Sequence, residues 1–248
     1  MSTPNITSPH AATGCPRIIS LHNAASQARL NDGLIADCVL LIRGENFGTE
    51  SAQFDSPVNE AFGIFVLFPP HDRFPIYSIT PSEIRCVVPG TIPVPQSYLL
   101  ELHTPSQGPG ACPEISLKGR MVTTEPGLFT KDDSVSGPGM FYTYPDGNDQ
   151  PIPPGDPAQP TMIQVYGTGL RHTRTLPTAL LDEMNVSVIA CEADTTRPGY
   201  DRLIFQLPGQ NLAPGMHRFK VMADGKSSNE VTLELMSGMS FQQSAVSR

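Results

Sequence analysis

Along this chain the apolar residues fall in short runs, several of period two, separated by clusters of Pro, Gly, Asn and Asp. In S-Y-L-L-E-L-H (97–103) and M-H-R-F-K-V (216–221) apolar and polar side chains alternate, the spacing of a strand with one buried face. Patterns of period 3.6 are scarce. The 26 Pro and 21 Gly residues among 248 punctuate the chain heavily, yet stay below the roughly 25–30% combined share that marks disorder. The pattern predicts an all-β protein built from many short strands joined by turns.

One segment is written twice. V-L-L-I-R-G-E-N-F-G (39–48) returns as M-I-Q-V-Y-G-T-G-L-R (162–171), each an apolar strand running into glycine and then, three residues on, a large apolar side chain. Downstream, Pro89-Gly90 closes I-R-C-V-V and Pro208-Gly209 closes I-F-Q-L, 45 residues after Gly44 and 41 after Gly167. Both are followed by a second proline, Pro95 or Pro214, and then by the alternating pairs Leu100/Leu102 and Phe219/Val221. The frame persists while the loops differ, and each half reads as a β-sandwich. Gly44 and Gly167 are expected to take a positive φ or a bulged geometry where the strand leaves the sheet, with Phe47 and Leu170 folding back over the core. Pro89, Gly90, Pro208 and Gly209 are expected to stop the other strand, because proline has no N–H for the ladder.

At these residues the chain resembles the immunoglobulin-like IPT/TIG fold, whose hallmark is a strand running into Gly-x-x-Phe/Leu-Gly. The second half resembles an uncharacterised C-terminal domain family abundant in Solibacter-type acidobacteria. The resemblance is carried by E-P-G-L-F-T (125–130), P-D-G-N (145–148), I-Q-V-Y-G-T-G-L (163–170), F-Q-L-P-G-Q-N-L-A-P-G (205–215) and D-G-K-S-S-N-E-V-T-L-E-L (224–235). I-I-S-L-H-N-A-A-S (18–26) is similar to the opening of that family's paired module. The resemblance implies two tandem immunoglobulin-like β-sandwiches, no established activity, and residence in secreted or cell-surface proteins.

The expected organisation is a flexible segment at 1–15, sandwiches at 16–124 and 125–236, and a flexible tail at 237–248. Thr123-Thr124 leaves one strand and Pro126-Gly127 opens the next module at once. So little free linker remains, and the two units should hold a preferred relative orientation.

The formal charge of −8 has no sharp asymmetry. Residues 1–124 carry seven Lys/Arg against ten Asp/Glu, and 125–248 carry nine against fourteen. Dispersed cations exclude a nucleic-acid partner, which needs a concentrated basic face. The N-terminus lacks the basic and apolar regions of a secretory signal, so export is not encoded in this stretch, against the family's habit. No run approaches the roughly 18 apolar residues that span a bilayer, so membrane insertion is not expected.

Chemistry is sparse. No G-x-S-x-G, H-E-x-x-H or P-loop is present, none of the six histidines pairs at i, i+4, and neither catalytic residues, cofactor nor metal is expected. The five cysteines include no C-x-x-C. Cys15 and Cys112 lie in matching C-P-x-I settings near the first and last strands of one sandwich, and would pair in an oxidising compartment; otherwise all five are buried thiols. For partner binding the candidates are His71, Arg73, Phe74 and Tyr77 in one long loop, and Arg171 and Arg174 just past the second glycine motif, residue types that anchor interfaces. The expected function is a non-catalytic structural or binding module for a protein or glycan partner. A hydrolase-type site on the sandwich loops and a pure spacer are the alternatives.

Overall fold

The computed structural model describes residues 14–69, 72–91, 97–105, 115–149, 152–154, 160–208 and 212–236. His71, Cys112 and Gly209 lie outside the described residues, as do the ends 1–13 and 237–248. Strands are the regular elements, with no helix among the described residues. The first half contains β1 (Arg17–Asn23), β2 (Leu34–Ile35), β3 (Val39–Glu45), β4 (Ala52–Val58), β5 (Phe65–Phe68), β6 (Asp72–Arg73), β7 (Ile76–Ile79), β8 (Glu83–Val87), β9 (Ser97–His103) and β10 (Ile115–Val122). The second contains β11 (Gly127–Leu128), β12 (Phe141–Thr143), β13 (Met162–Thr168), β14 (Thr178–Leu181), β15 (Met184–Ala193), β16 (Asp201–Gln206), β17 (Gly215–Ala223), β18 (Lys226–Ser227) and β19 (Val231–Leu235).

In the first half two five-stranded sheets, β1-β3-β8-β7-β4 and β2-β10-β9-β5-β6, enclose a core that includes Leu40, Ile42, Phe47, Phe74, Ile84 and Leu100. The second half repeats the plan, with β11 and β12 beside β13, then β16 and β15 in one layer, and β14, β17 and β19 in the other. The layers are continuous there because β15 is long: Met184 to Val186 pair with β14, and Ser187 to Ala193 pair with β16. Its core gathers Leu128, Phe141, Ile163, Leu170, Phe205 and Phe219, with the Phe205 and Phe219 rings stacked at 4.8 Å. The chain is two tandem immunoglobulin-like β-sandwiches.

The duplicated motifs take equivalent places. Strand β3 pairs antiparallel with β8 and β13 with β16, so each glycine motif and each proline stop belong to neighbouring strands of one sheet. Val88 gives its N–H to Cys38, Leu207 gives its N–H to Thr161, and the next residue in each case is a proline with nothing to donate.

The glycines act differently from expectation. Neither Gly44 nor Gly167 has a positive φ; the left-handed residues are Asn46 (φ 60°) and Gly169 (φ 72°), two positions on in each copy. A Cβ on Gly44 would lie 2.2 Å from the Arg17 carbonyl oxygen and 2.2 Å from the Phe47 ring, and one on Gly167 would lie 2.5 Å from the Gly127 oxygen and 2.8 Å from Leu170. The strand ends in glycine so that the returning Phe47 or Leu170 can lie on its backbone, and the turn itself is made downstream. A bulge does occur at the Gly44 level, but in the partner β1, between Ile18 and Ser20.

Candidate functional site

The most elaborate site lies between the sandwiches and begins with strand β3. Leu40 and Ile42 enter the first core, so Val39 and Leu41 point to the opposite face of the sheet, which a lone sandwich would leave in water. They are 2% and 1% exposed. Covering them is a third apolar cluster in which Ala24, Ala25, Val39 and Leu41 meet Phe129 and Tyr166, with Tyr77, Met140, Tyr142 and Tyr200 at its margin. Tyr200 stacks on Phe129 at 4.2 Å and takes the edge of Tyr77 at 5.9 Å. Gly199, at φ 81°, leaves room for the side chains: a Cβ there would sit 3.0 Å from Val39 and 3.1 Å from Val87.

Polar groups close the seam. The N–H of Val39 donates to the Thr168 hydroxyl at 2.8 Å, and that hydroxyl donates to the Gly199 carbonyl at 2.7 Å. Asn23, fully buried, accepts from the N–H groups of Ala25 and Ser26 and donates to the Glu125 carbonyl at 2.7 Å, while Thr124 donates to the Gly169 carbonyl at 2.7 Å. Lys226 reaches Glu125 at 2.7 Å and Asp32 at 3.1 Å, and Arg85 pairs with Asp133 at 3.0 Å.

At one end stands a charged cluster. Asp201, 1% exposed, accepts from the Leu170 N–H at 2.6 Å and pairs with the Arg171 guanidinium, which donates at 3.0 Å to the Asp37 carbonyl across the seam. His172 approaches the Asp37 carboxylate at 3.1 Å. Burial pushes the Asp201 carboxyl up to about 6, against the pull of Arg171 and the Leu170 N–H. Nearby, Asp194 is held down at about 2: burial opposes ionisation, but the Thr196 hydroxyl and the Thr196 and Arg197 N–H groups outweigh it. Arg197, aligned by Asp194, lies 3.9 Å over the Tyr166 ring.

These contacts relocate several predicted partner-binding residues. Tyr77 donates its hydroxyl to the Pro198 carbonyl at 2.8 Å, and burial raises its pKa. Both Tyr77 and Arg171 therefore meet the other sandwich, and their partner is internal. Phe74 is wholly buried in the first core and presents no surface. Arg73 is exposed, paired with Glu60 at 2.9 Å and lying 4.0 Å over Phe65, whose ring stacks on His103 at 4.5 Å. Arg174 is exposed, with its backbone N–H on the Asp224 carboxylate at 3.2 Å. One sits on the first sandwich and the other on the second, and no contact joins them. Among the described residues no group of three or more His, Cys, Asp or Glu is placed to hold a metal ion, and no helix is long and apolar enough to cross a membrane.

Of the candidate residues only Tyr77 and Arg171 belong to the seam; its other residues carry no local signal beyond the motifs N-A-A-S and E-P-G-L-F-T. These two motifs face one another: Asn23 binds the Glu125 carbonyl, and a Cβ on Gly127 would fall 2.3 Å from the Asn23 amide oxygen.

No family model matches the chain, and no curated protein matches it. Matching solved structures include the BSP domain of a biofilm-associated protein, 12% identical over 84% of this chain and 29% of that one, TM-score 0.27. A second is Bacteroides ovatus SGBP-B from a mixed-linkage glucan utilization locus, in complex with a mixed-linkage heptasaccharide, 8% identical over 85% of this chain and 44% of that one, TM-score 0.30. Tandem Ig domains of titin match at 9% identity over 90% and 96% of the respective chains, TM-score 0.22. The chain spans less than half the length of the first two.

Proposed function

We propose that this protein is a non-catalytic structural or binding module that serves a protein or glycan partner in a surface or extracellular assembly. Its units are residues 16–124 and 125–236, of the IPT/TIG type. The observation that carries this reading is the seam: two sandwiches share a third apolar cluster closed by buried hydrogen bonds, so they present their outer surfaces in one fixed relation. Rigid presentation is what a load-bearing or ligand-presenting module requires. The disulfide made by Cys15 fits an oxidising compartment. The finer family assignment is supported by the duplicated glycine motif on β3 and β13.

The experiment is protease shaving of intact native cells with detection of the protein, alongside a glycan array on the purified chain. Release by protease without cell lysis is expected. Protection from protease until lysis, with all cysteines reduced, would overturn the reading.

A further inference from the structure

Among the described residues the first sandwich has an open flank. Strand β10 pairs with β9 from Ile115 to Arg120, while on its other side β2 reaches only Met121 and Val122, in parallel. Across from it, β1 pairs with β3 and, among the described residues, is met on its outer side from Leu21 to Asn23 by Ala28, Arg29 and Leu30. Between the two edges lies a groove of about 560 Å³. An uncovered strand edge carries backbone groups ready to pair with another chain.

The groove is built in two zones. Its floor is apolar, with Leu21, Leu30, Tyr98 and Leu117, and the β1 bulge places Ile19 at its lip; Ile19 and Leu117 remain 48% and 36% exposed. Gly119 leaves the Tyr98 ring lying over it, where a Cβ would come 2.2 Å from the hydroxyl. The rim is cationic, with Arg29, Lys118 and Arg120. The acid in the lining is Asp32, whose carboxylate is taken by Lys226 at 3.1 Å. In a chain of net charge −8 this local excess of cations selects an occupant of the opposite sign.

We infer that the groove between β1 and β10 takes an extended acidic peptide, added as a strand along the free edge of β10. A six-residue edge at about 3.4 Å per residue accommodates a strand of roughly 20 Å. Successive side chains of an added strand point to opposite faces, so the matching segment alternates apolar residues for the floor with Asp or Glu for the rim. This deepens the binding reading above and rests on it for the existence of a partner, not for export.

The test is fluorescence anisotropy of the full chain with a labelled alternating Glu-Val peptide, beside the same peptide with Lys in place of Glu. Saturable binding of the acidic peptide, weakening as salt rises, is expected, with Kd at least about tenfold higher in Arg29→Glu/Lys118→Glu. These two side chains are exposed, and an unchanged melting temperature shows that the variant is folded. Leu117→Asn, which keeps the charge and removes the apolar floor, should weaken binding similarly. No saturable binding, equal binding of the Lys peptide, or full affinity in the charge-reversed variant each overturns the inference. Surface location without peptide binding overturns the groove alone and leaves the module reading standing.

Discussion

The N–H of Val39 and the hydroxyl of Thr168, 129 residues apart, are joined at 2.8 Å in a place where neither meets water. Val39 belongs to the strand that opens the first glycine motif and Thr168 follows the glycine of the second. The two copies of the repeat therefore touch each other, and the seam grows from the opposite faces of the same strands, β3 and β13, that build each core.

Replacing Thr168 with valine keeps the shape and removes the hydroxyl. It strands the Val39 N–H and the Gly199 carbonyl in the buried seam, and a buried polar group left unpaired costs about 1–3 kcal/mol. Chemical denaturation of Thr168→Val should show a loss in that range. An unchanged midpoint would mean that the seam opens readily enough for water to satisfy both groups.

The glycine substitutions follow from space rather than from φ. Gly44→Val and Gly167→Val would each force a side chain onto the backbone oxygen of Arg17 or Gly127 and against Phe47 or Leu170, with an expected loss of roughly 1–3 kcal/mol. Asn46→Gly, by contrast, should be neutral or slightly stabilising, because Asn46 already sits at φ 60°. Thermal melting of the three variants separates the ideas; a destabilised Asn46→Gly beside an unaffected Gly44→Val would reverse the assignment.

Much of the fold was legible because period two and turn residues act locally. Leu100 and Leu102, or Phe219 and Val221, declare a buried face without reference to anything distant. The duplicated Gly44 and Gly167 motifs also declared equivalent strands, although not why glycine was needed, since that depends on where Phe47 and Leu170 return. The seam was harder to read. Val39 and Leu41 look like ordinary strand residues, and only the arrival of Phe129 and Tyr166 from the second sandwich makes their face a buried one. For the same reason Tyr77 and Arg171 looked like surface anchors: aromatic and guanidinium groups serve an internal interface by the same chemistry as an external one.

Asp201 gives the seam a pH signature. Its carboxyl is lifted from 3.8 to about 6 by burial, so the folded chain holds this proton more tightly than the unfolded chain does. The stabilisation linked to Asp201 is fully present below about 4 and is lost as pH rises through about 6. Asp201→Asn removes the titration. The stability difference, wild type minus variant, should therefore fall between pH 4 and 6, while other carboxylates cancel in the subtraction. Urea midpoints for both proteins across that window provide the measurement, and a difference independent of pH would show that Arg171 and the Leu170 N–H keep the carboxylate ionised.

The cysteines test chemistry and compartment together. Cys38, Cys86 and Cys191 are free thiols, and burial pushes Cys38 and Cys191 up to about 12 and Cys86 well above its ordinary value. The thiolate is the reactive form, so none should react quickly with an alkylating agent in the native protein. Cys15 is disulfide-bonded, and its proposed partner is Cys112, whose C-P-E-I setting matches the C-P-R-I of Cys15. Denaturing without reductant should expose Cys38, Cys86 and Cys191 to alkylation and leave Cys15 and Cys112 in one cross-linked peptide. Because the enclosed loop is long, reduction should lower stability by on the order of 4 kcal/mol in the chain-entropy model. Peptide mass mapping before and after reductant checks the pairing. Recovery of Cys15 bridged to any other cysteine would refute it, and five alkylated thiols in protein taken from its native compartment would remove the case for an oxidising location.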